Sequence, residues 1–353
     1  MKKMYCVITT VQPPTESVLE LLRRVEGVNG TIVVVGDRKG PEKYNCEGLH
    51  SGKSVRFFAF ADQPGLPFRL PAKLPVGHYA RKNIGYLLAI AEHASVIYET
   101  DDDNMPMSHW GVRRQEVDNC RVVPVQLTEN GRPGGEWYNV YQNFSDEFIW
   151  PRGFPLERVP QAVIPTEQLI QKSCSSPVHQ GLVNGSPDVD AIWRMVFDRD
   201  FDFSCRRDLS IHLLPGNWCP FNTQNTWFWP EVYPLLYIPS HCSFRMCDIW
   251  KSFIAQRCLW EIDKGVIFHA PDVVQKRNFH NMRQDFKDEI PGYLKNMEIA
   301  KLLEAISFTG RNDMGNLLYG CYETLVRAGI FPKKEMPLVE CWLQDLENIA
   351  GCR

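Results

Sequence analysis

The sequence predicts an α/β protein, and three observations support this prediction. Over the first hundred residues, short apolar runs of strand length alternate with amphipathic helical patterns. Helical patterns return near the end of the chain, after a long aromatic-rich middle. The chain has 353 residues, of which 44% are hydrophobic and 23% charged, so a sizeable core can form and a disordered or low-complexity chain is excluded.

The opening of the chain predicts a β-α-β unit. A β-rich run at residues 5–9 precedes a helical stripe, and a continuous apolar run at residues 31–35 follows it. The stripe consists of Val18, Leu21, Leu22 and Val25. Continuous apolar strands are typical of parallel sheets that are covered on both faces, so we expect these strands to run in the same direction.

The next elements lead to a triplet of aspartates. A third strand is predicted at residues 55–60, followed by a Pro-rich loop at residues 66–77. A helix at residues 81–93 then runs into a strand at residues 95–99, which is followed by Asp101-Asp102-Asp103. In an open parallel sheet ligands bind outside the carboxyl ends of the strands, which places the triplet at the expected ligand edge.

The later chain is organised differently. Beyond about residue 105 the periodicity weakens and Gly, Pro and Trp become frequent, which predicts a loop-rich, aromatic-lined half that contacts a second ligand. Helices are expected at residues 249–260, from about 292 to 328, and at residues 338–349. We therefore predict one domain at residues 1–285 and a helical C-terminal segment at residues 286–353.

Charge and composition exclude several classes of protein. Lys plus Arg is 39 and Asp plus Glu is 42, a net charge of −3, so we expect no nucleic-acid partner. No apolar run approaches the roughly 20 residues that span a bilayer, and residues 1–10 lack the apolar region of a signal peptide. We therefore expect no membrane span and a cytoplasmic protein. The strings typical of P-loops, zincins and α/β-hydrolases are absent.

The aspartate triplet predicts a site for a divalent cation. Three consecutive carboxylates repel one another unless a cation or solvent relieves them. Because side chains alternate along a strand, Asp101 and Asp103 are expected on one face and Asp102 on the other. Mg²⁺ and Mn²⁺ prefer one or two carboxylates together with substrate phosphates. An ion that is completed by a diphosphate is therefore the prediction, and a plain acidic turn is the alternative.

These motifs resemble a known group of enzymes. A β-α-β opening, a basic helix start and a strand ending in D-x-D are similar to GT-A glycosyltransferases, whose aspartates hold a metal on the donor diphosphate. More specifically, residues 81–103, 150–156 and 220–226 resemble the STELLO-type glycosyltransferases. The resemblance implies a GT-A-like, Rossmann-related mixed sheet flanked by helices. It also implies metal-dependent transfer from a nucleoside diphosphate sugar, such as a UDP-sugar, to a glycan or other hydroxyl acceptor, with Mn²⁺ or Mg²⁺.

The same order of motifs more distantly resembles the reversibly glycosylated polypeptides, which include UDP-arabinopyranose mutases. In that family an arginine becomes glycosylated, and Arg158 is the nearest match, although it lies one residue closer to Arg152 than the family spacing requires. A sugar nucleotide mutase with Arg158 as the attachment point is therefore one alternative function. A catalytically silent binding protein with the same fold is another.

The remaining candidate residues fall into three groups: a metal ligand, a general base and residues that bind the nucleotide of the donor. The GT-A resemblance implies that a late histidine, His269, joins Asp101 and Asp103 on the metal. Asp248 begins a predicted helix and is the expected general base of an inverting reaction, with a helix cap as the alternative. The residues expected to bind the nucleotide lie at strand ends and at the start of the basic helix. They are Thr9, Thr10, Asp37, Arg81, Asn83 and Asp102.

The acceptor is expected to meet residues of the aromatic middle. Trp218 resembles a platform for a sugar ring, with the amides of Asn222 and Gln224 beside it for hydroxyl groups, and packing under a long loop is the alternative. Asp188 and Asp190 are weaker acceptor candidates, because the preceding Ser-Pro also predicts a turn followed by a helix cap.

Overall fold

The architecture is taken from a computed structural model that describes residues 3–46, 54–125, 134–203, 208–276, 281–308 and 313–351. The first part has the elements β1 (Met4–Thr10), α1 (Glu16–Gly27), β2 (Thr31–Gly36), β3 (Val55–Phe58), α2 (Lys82–Ala91) and β4 (Val96–Thr100). β1 pairs in parallel with β2 and with β4, and β2 pairs in parallel with β3. The predicted parallel β-α-β opening is confirmed.

The middle and end of the chain add further strands and helices. The middle contains β5 (Asn104–Pro106), β6 (Glu116–Val123), β7 (Glu136–Trp137), β8 (Ile170–Ser175), β9 (Val178–Gly185), α3 (Ala191–Phe197), β10 (Ser210–Leu213), β11 (Asn217–Trp218) and β12 (Asn225–Phe228). The end contains α4 (Cys247–Trp260), β13 (Val266–Gln275), α5 (Met282–Glu304), α6 (Met314–Arg327) and α7 (Met336–Gly351). The boundary predicted at residue 285 falls within α5.

One mixed sheet of eleven strands forms the centre of the described chain. Its order is β3-β2-β1-β4-β12-β9-β13-β10-β6-β8, with β5 paired to β13, while β7 and β11 form a separate pair. β12 runs antiparallel to both β4 and β9, so it joins the parallel half to the later strands. The fold is therefore a mixed α/β sheet, as predicted, but the middle of the chain contains more strands than the loop-rich prediction allowed.

Both faces of the parallel half are buried, which explains its continuous apolar strands. In β1, Tyr5 and Val7 face the core beneath α2, whereas Cys6 and Ile8 face the core beneath α1. Helix α2 lies close to the sheet because position 85 is glycine: a Cβ there would lie 2.5 Å from Val7 Cγ1. This close approach brings the first residue of α2 to the end of β4.

The C-terminal helices are part of the same core. Helix α6 packs on α4, and α7 packs on α2 and on the segment that precedes it. The Asp345 carboxylate accepts hydrogen bonds from the backbone N–H groups of Arg69 and Leu70, at 2.9 to 3.0 Å. Glu335 likewise accepts from the Tyr237 hydroxyl at 2.7 Å and from the His241 N–H at 2.9 Å. Buried carboxylates thus attach two otherwise irregular segments to the helices.

Candidate functional site

The aspartate triplet forms a turn at the end of β4. The Asn104 N–H approaches the Asp101 carbonyl at 3.4 Å, and β5 begins directly afterwards. The strand alternation expected for Asp101 and Asp103 does not apply, because a turn and not an extended strand sets the side-chain directions. Each carboxylate has its own set of partners.

Asp101 faces the start of α2. Its Oδ1 accepts from the Tyr79 hydroxyl at 2.6 Å and from Lys82 Nζ at 3.1 Å. The Lys82 side chain is fully buried, and Nζ also donates to the Thr100 carbonyl at 2.6 Å and to the Thr223 carbonyl at 3.3 Å. A buried ammonium group therefore neutralises Asp101 and joins β4 to the chain before β12.

Asp102 faces the ends of β1 and α1. Its carboxylate accepts from the Thr10 hydroxyl, and its backbone carbonyl accepts from the hydroxyl of Thr15, the N-cap of α1. Burial is the largest influence on Asp102 and raises the pKa of its carboxyl group. Thr10 and Asp102, both predicted to bind nucleotide, are thus brought together.

Asp37 lies at the neighbouring strand end. Its carboxylate accepts from the Arg38 N–H at 2.6 Å and from the His78 N–H at 3.1 Å. Thr9 instead donates to the Val35 carbonyl at 3.2 Å, within the strand pair. Asp37 therefore orders the loop that leads to Tyr79 and α2, while Thr9 bonds to the adjacent strand.

The two carboxylate oxygens of Asp103 lie in different surroundings. Its Oδ2 accepts from Gln275 Nε2 at 2.9 Å, whereas its Oδ1 is buried without a hydrogen-bond partner among the described residues. Gln275 Oε1 in turn accepts from Gln224 Nε2 at 2.9 Å. Burial, and then the negative charge of Asp101, raise the pKa of Asp103 to about 6. An orphaned buried carboxylate oxygen is the kind of atom that a cation would satisfy.

A second group of charges is centred on Arg152. Its guanidinium donates to Asp188 Oδ1 at 2.6 Å and Oδ2 at 2.7 Å, and to Asp248 Oδ1 at 3.0 Å and Oδ2 at 2.8 Å. All three side chains are at most 9% exposed. Burial would raise the pKa of Asp188, but Arg152 outweighs it and keeps this pKa below its ordinary value.

The residue after Arg152 explains how this segment approaches α4. Gly153 has a φ of +82°, which favours glycine, and a Cβ there would lie 2.3 Å from Ile249 Cγ2. Asn296 Nδ2 on α5 donates to the Gly153 carbonyl at 2.8 Å. The Arg-Gly-Phe-Pro segment is thus held between α4 and α5, with the guanidinium beside the start of α4.

A pocket of about 50 Å³ lies between the two groups of charges. Its lining includes Gln224 and Gln275 on the side of Asp103, and Asp188 and Arg245 on the side of Arg152. Asn222 Oδ1 accepts from the Gln224 N–H at 3.0 Å and so holds the same loop. The polar chain from Asp103 through the two glutamines therefore ends at this pocket.

Asp190 lies in the chain between Val189 and Ala191, two residues of the pocket lining. It is the N-cap of α3, where its Oδ1 accepts from the Ile192 N–H at 2.8 Å. The Tyr293 hydroxyl lies 3.3 Å from Asp190 Oδ1 and 3.1 Å from Glu289 Oε2. Burial and then Glu289 raise the pKa of Asp190 to about 7. Arg245 pairs with the other oxygen of Glu289 at 2.8 Å, so Glu289 links the cap to the pocket lining.

Arg81 and Asn83 have structural roles in place of the nucleotide contacts that we predicted. The Arg81 guanidinium is buried, donates to Gln63 Oε1 and lies over the Phe60 ring. The Asn83 amide exchanges two 2.8 Å hydrogen bonds with the backbone of Ile238. Both predictions are corrected for one physical reason: the polar groups of these side chains are already satisfied inside the core.

The predicted aromatic platform is also part of the core. Trp218 is fully buried, donates from Nε1 to Glu304 at 2.7 Å, and packs against Trp137 and Trp260. Its ring faces are covered by other rings, so no sugar can stack on them. The alternative reading, packing under a long loop, is the correct one for Trp218.

His269 is not brought to the aspartates. Its Nδ1 lies 2.8 Å from Ser210 Oγ and its Nε2 lies 3.1 Å from His179 Nδ1, so both ring nitrogens have partners. The far end of β13 does reach the triplet through Gln275, but His269 lies six residues before Gln275 on this strand, a separation of up to about 20 Å at the usual rise per residue. The expected metal set of Asp101, Asp103 and His269 is therefore corrected: the histidine belongs to a different part of the sheet.

Two further findings concern the expected sites. Arg158 lies half-buried in a short helical turn, Leu156–Arg158, and is not among the described lining residues of the pocket beside Gln275. Across the described ranges, no group of three or more His, Cys, Asp or Glu side chains is arranged to hold a metal ion. Within the same residues no helix has the length and apolar character needed to cross a bilayer.

Comparison with known proteins supports one of the two resemblances. The sequence profile of the STELLO glycosyltransferases matches residues 245–351. The chain is also similar to the Probable glycosyltransferase STELLO2 of Arabidopsis thaliana, with 26% identity over 353 residues, and to the Probable glycosyltransferase STELLO1 of the same plant, with 25% identity over 357 residues. These findings confirm the predicted resemblance to STELLO-type glycosyltransferases.

These alignments cover nearly all of this chain but only part of each plant protein. Each covers 97% of this chain but 44% of the plant protein, so the chain spans less than half the length of these relatives. Among solved structures, a mycobacterial protein aligns over 84% of this chain and 74% of its own, with 8% identity and a TM-score of 0.36. That score is too low to establish a common fold.

Proposed function

We propose that the chain is a glycosyltransferase that takes its sugar from a nucleoside diphosphate sugar, with a UDP-sugar as the donor we expect. The observation that carries the proposal is the aspartate turn at the end of β4, where the buried Oδ1 of Asp103 has no hydrogen-bond partner among the described residues and Oδ2 bonds to Gln275, a residue of the pocket lining. The similarity to STELLO-type glycosyltransferases over 97% of the chain supports the same reaction class.

The site residues fit a divalent cation that also binds the donor. Asp103 would hold Mn²⁺ or Mg²⁺ through its unused oxygen, with the diphosphate supplying further ligands. When bound, such an ion neutralises charge on the departing diphosphate. Asp101 contributes less, because the Lys82 ammonium already neutralises its charge. The Lys82 ammonium adds positive charge next to the same turn.

In this proposal the charged residues around Arg152 interact with the acceptor. Asp188 lines the pocket, whereas Asp248 lies behind Arg152 at the start of α4. We therefore propose that Asp188 removes the proton from the acceptor hydroxyl and so acts as the general base of an inverting reaction. Arg152 and Asp248 position that carboxylate, since the guanidinium holds both oxygens of each aspartate.

Calorimetric titration of UDP tests the donor site. Wild-type protein should bind UDP in Mn²⁺ and lose most of that affinity in EDTA. Asp103→Asn should bind UDP at least about tenfold more weakly in Mn²⁺, because an amide is a poorer ligand for a hard cation. The matched control is Asp118→Asn, whose side chain is 76% exposed and which should bind like wild type. Equal affinity in every condition would contradict the proposal.

Two outcomes distinguish the alternative functions. Radiolabelled UDP-sugar should leave no label on the denatured chain; a label that disappears in Arg158→Ala would indicate a mutase. Tight UDP binding without transfer to any acceptor or to water would indicate a silent binding protein.

A further inference from the structure

An exposed aromatic ring lies beside the proposed donor site. Phe244 is 54% exposed, although it is a large apolar side chain next to charged groups. It begins the short helical turn Phe244–Met246, which leads directly into α4. The next residue, Arg245, lines the pocket. Phe244 is therefore an exposed ring that directly precedes a residue of the pocket lining.

The ring is held in place by two half-buried aromatic neighbours. Its centroid lies 6.1 Å from that of Tyr79 and 6.2 Å from that of His78, with interplanar angles of 74° in both pairs. Tyr79 donates to Asp101, and the His78 backbone donates to Asp37. The contacts of Phe244 thus attach it to the segment that orders Asp37 and Asp101.

The backbone that carries the ring is also fixed. The Ser243 hydroxyl donates to the Asp288 carbonyl of α5, and Cys247 Sγ lies 3.1 Å from the Phe244 carbonyl. A rigid, exposed aromatic ring beside a polar site is suited to stack on the apolar face of a sugar. Trp218, the ring first predicted for this role, is buried, and so are the nearby rings of Trp227, Phe228 and Trp229.

We propose that Phe244 is the stacking platform for the sugar ring of the donor. This inference rests on the proposed function, since it assumes a diphosphate at the aspartate turn. A nucleoside near Asp37 and a diphosphate near Asp103 would extend the sugar toward Arg245 and the pocket. Phe244 precedes Arg245 in the chain and packs on Tyr79, the partner of Asp101. Phe244 thus binds the sugar of the donor and has little influence on the nucleotide.

Binding measurements with and without the sugar test this inference. The probes are UDP, UDP-glucose, UDP-galactose and UDP-N-acetylglucosamine, titrated in Mn²⁺ into wild type and variants whose folding is checked by thermal melting. Phe244→Ala should weaken the tightest UDP-sugar by about five- to tenfold and change UDP by less than about twofold. Phe244→Trp should restore UDP-sugar affinity to within about threefold of wild type.

Phe148→Ala is the matched control, because Phe148 is similarly exposed, at 52%, and does not line the pocket. It should bind all probes like wild type. Equal losses of UDP and UDP-sugar in Phe244→Ala, or no loss, would overturn the stacking role. If wild type binds UDP but no UDP-sugar more tightly, the platform is overturned while nucleotide binding stands. If wild type binds none of the probes, the proposed function fails as well.

Discussion

Arg152 is the residue that most constrains the acceptor side of the site. Its guanidinium satisfies two buried carboxylates from segments about sixty residues apart, Asp188 and Asp248, in a fork geometry that lysine cannot reproduce. The group as a whole carries one excess negative charge. This negative charge therefore stabilises positive charge that develops nearby during the reaction, on the sugar carbon or on the proton that leaves the acceptor hydroxyl.

The first prediction separates the two carboxylates that Arg152 holds. Asp188→Asn should lower turnover by about 10²-fold or more, because the pocket loses its proposed base. Asp248→Asn should lower turnover less, because Asp188 still keeps Arg152 in place. Initial rates of sugar release from the donor, with UDP affinity as the control for folding, provide the measurement. A larger loss in Asp248→Asn would return the base to that residue.

The second prediction concerns pH and Asp190. Burial and Glu289 raise the pKa of Asp190 from the ordinary 3.8 to about 7. Between these values the folded protein holds a proton that the unfolded chain releases, so the stability contributed by this group falls as pH rises. The slope reaches at most about 1.4 kcal/mol per pH unit for one proton.

Replacement of this carboxylate should remove that dependence. Asp190→Asn keeps a side-chain oxygen for the Ile192 N–H, so the cap of α3 survives. The variant should gain stability relative to wild type as pH rises from about 5 to 8, measured by urea unfolding at each pH. The difference between the two proteins isolates Asp190, since both retain Asp103, Glu289 and Tyr293. A difference that is constant with pH would show that Asp190 is already ionised.

Single residues of the site were only partly predictable from the sequence. The aspartate triplet was recognisable because it follows an apolar strand, and Arg152 belongs to a segment that carried the family resemblance. The sequence analysis placed Arg81 at the site and missed Lys82, which neutralises Asp101. Adjacent residues on a helix point about 100° apart, and the sequence does not give the rotation of the helix. Gln275 had no signal, since a neutral amide at a strand end resembles many others.

At the scale of elements, α7 fixes the chain segment that precedes α2. Asp345 accepts from two backbone N–H groups at Arg69 and Leu70, and Arg81 then donates to the Leu74 carbonyl of the same segment. The position of Tyr79 and Lys82 beside Asp101 therefore depends on a helix near the end of the sequence. The contact joins the last helix to the donor side of the site.

The third prediction tests this contact. Asp345→Ala leaves two buried N–H groups without acceptors and should lower the free energy of unfolding by about 1–3 kcal/mol. It should also weaken UDP binding, because Lys82 loses its support. Glu340→Ala, an exposed change on the same helix, should alter stability by less than about 0.5 kcal/mol. Urea unfolding gives the stability, and calorimetry gives the UDP affinity. Unchanged values for both would mean that water replaces the carboxylate.

Strands were predictable from the sequence where they are parallel to their neighbours and continuously apolar. β1, β2 and β4 are buried on both faces, so their sequences are continuous apolar runs. β9 includes the polar residues His179 and Gln180, whose side chains bond to His269 of β13 and to the Asn225 carbonyl of β12, contacts that no local pattern contains. This is why the middle of the chain was taken for loops. Strands that owe their stability to distant partners lack a local signal.

At the scale of the whole molecule, the strand order determines when the site can form. β4 is buried along its whole length, and its neighbour opposite β1 is β12, which lies more than a hundred residues later in the chain. Until β12 has been synthesised, β4 remains an open apolar edge, which can pair with other chains. Non-local pairing of this kind is also slow to form.

The insertion of β12 contributes to both sides of the site. It brings the Thr223 carbonyl to Lys82, the partner of Asp101, and it positions the Gln224 amide for Gln275, which reaches Asp103 once β13 has been synthesised. A ribosome-bound chain that ends before residue 225 therefore has the aspartates but no organised site. Its apolar β4 edge is open to pairing with other chains. Insertion of β12 thus protects the β4 edge and supplies the first contacts that organise the site, and the contacts of Gln275 and Asp345 complete it later in the synthesis of this chain.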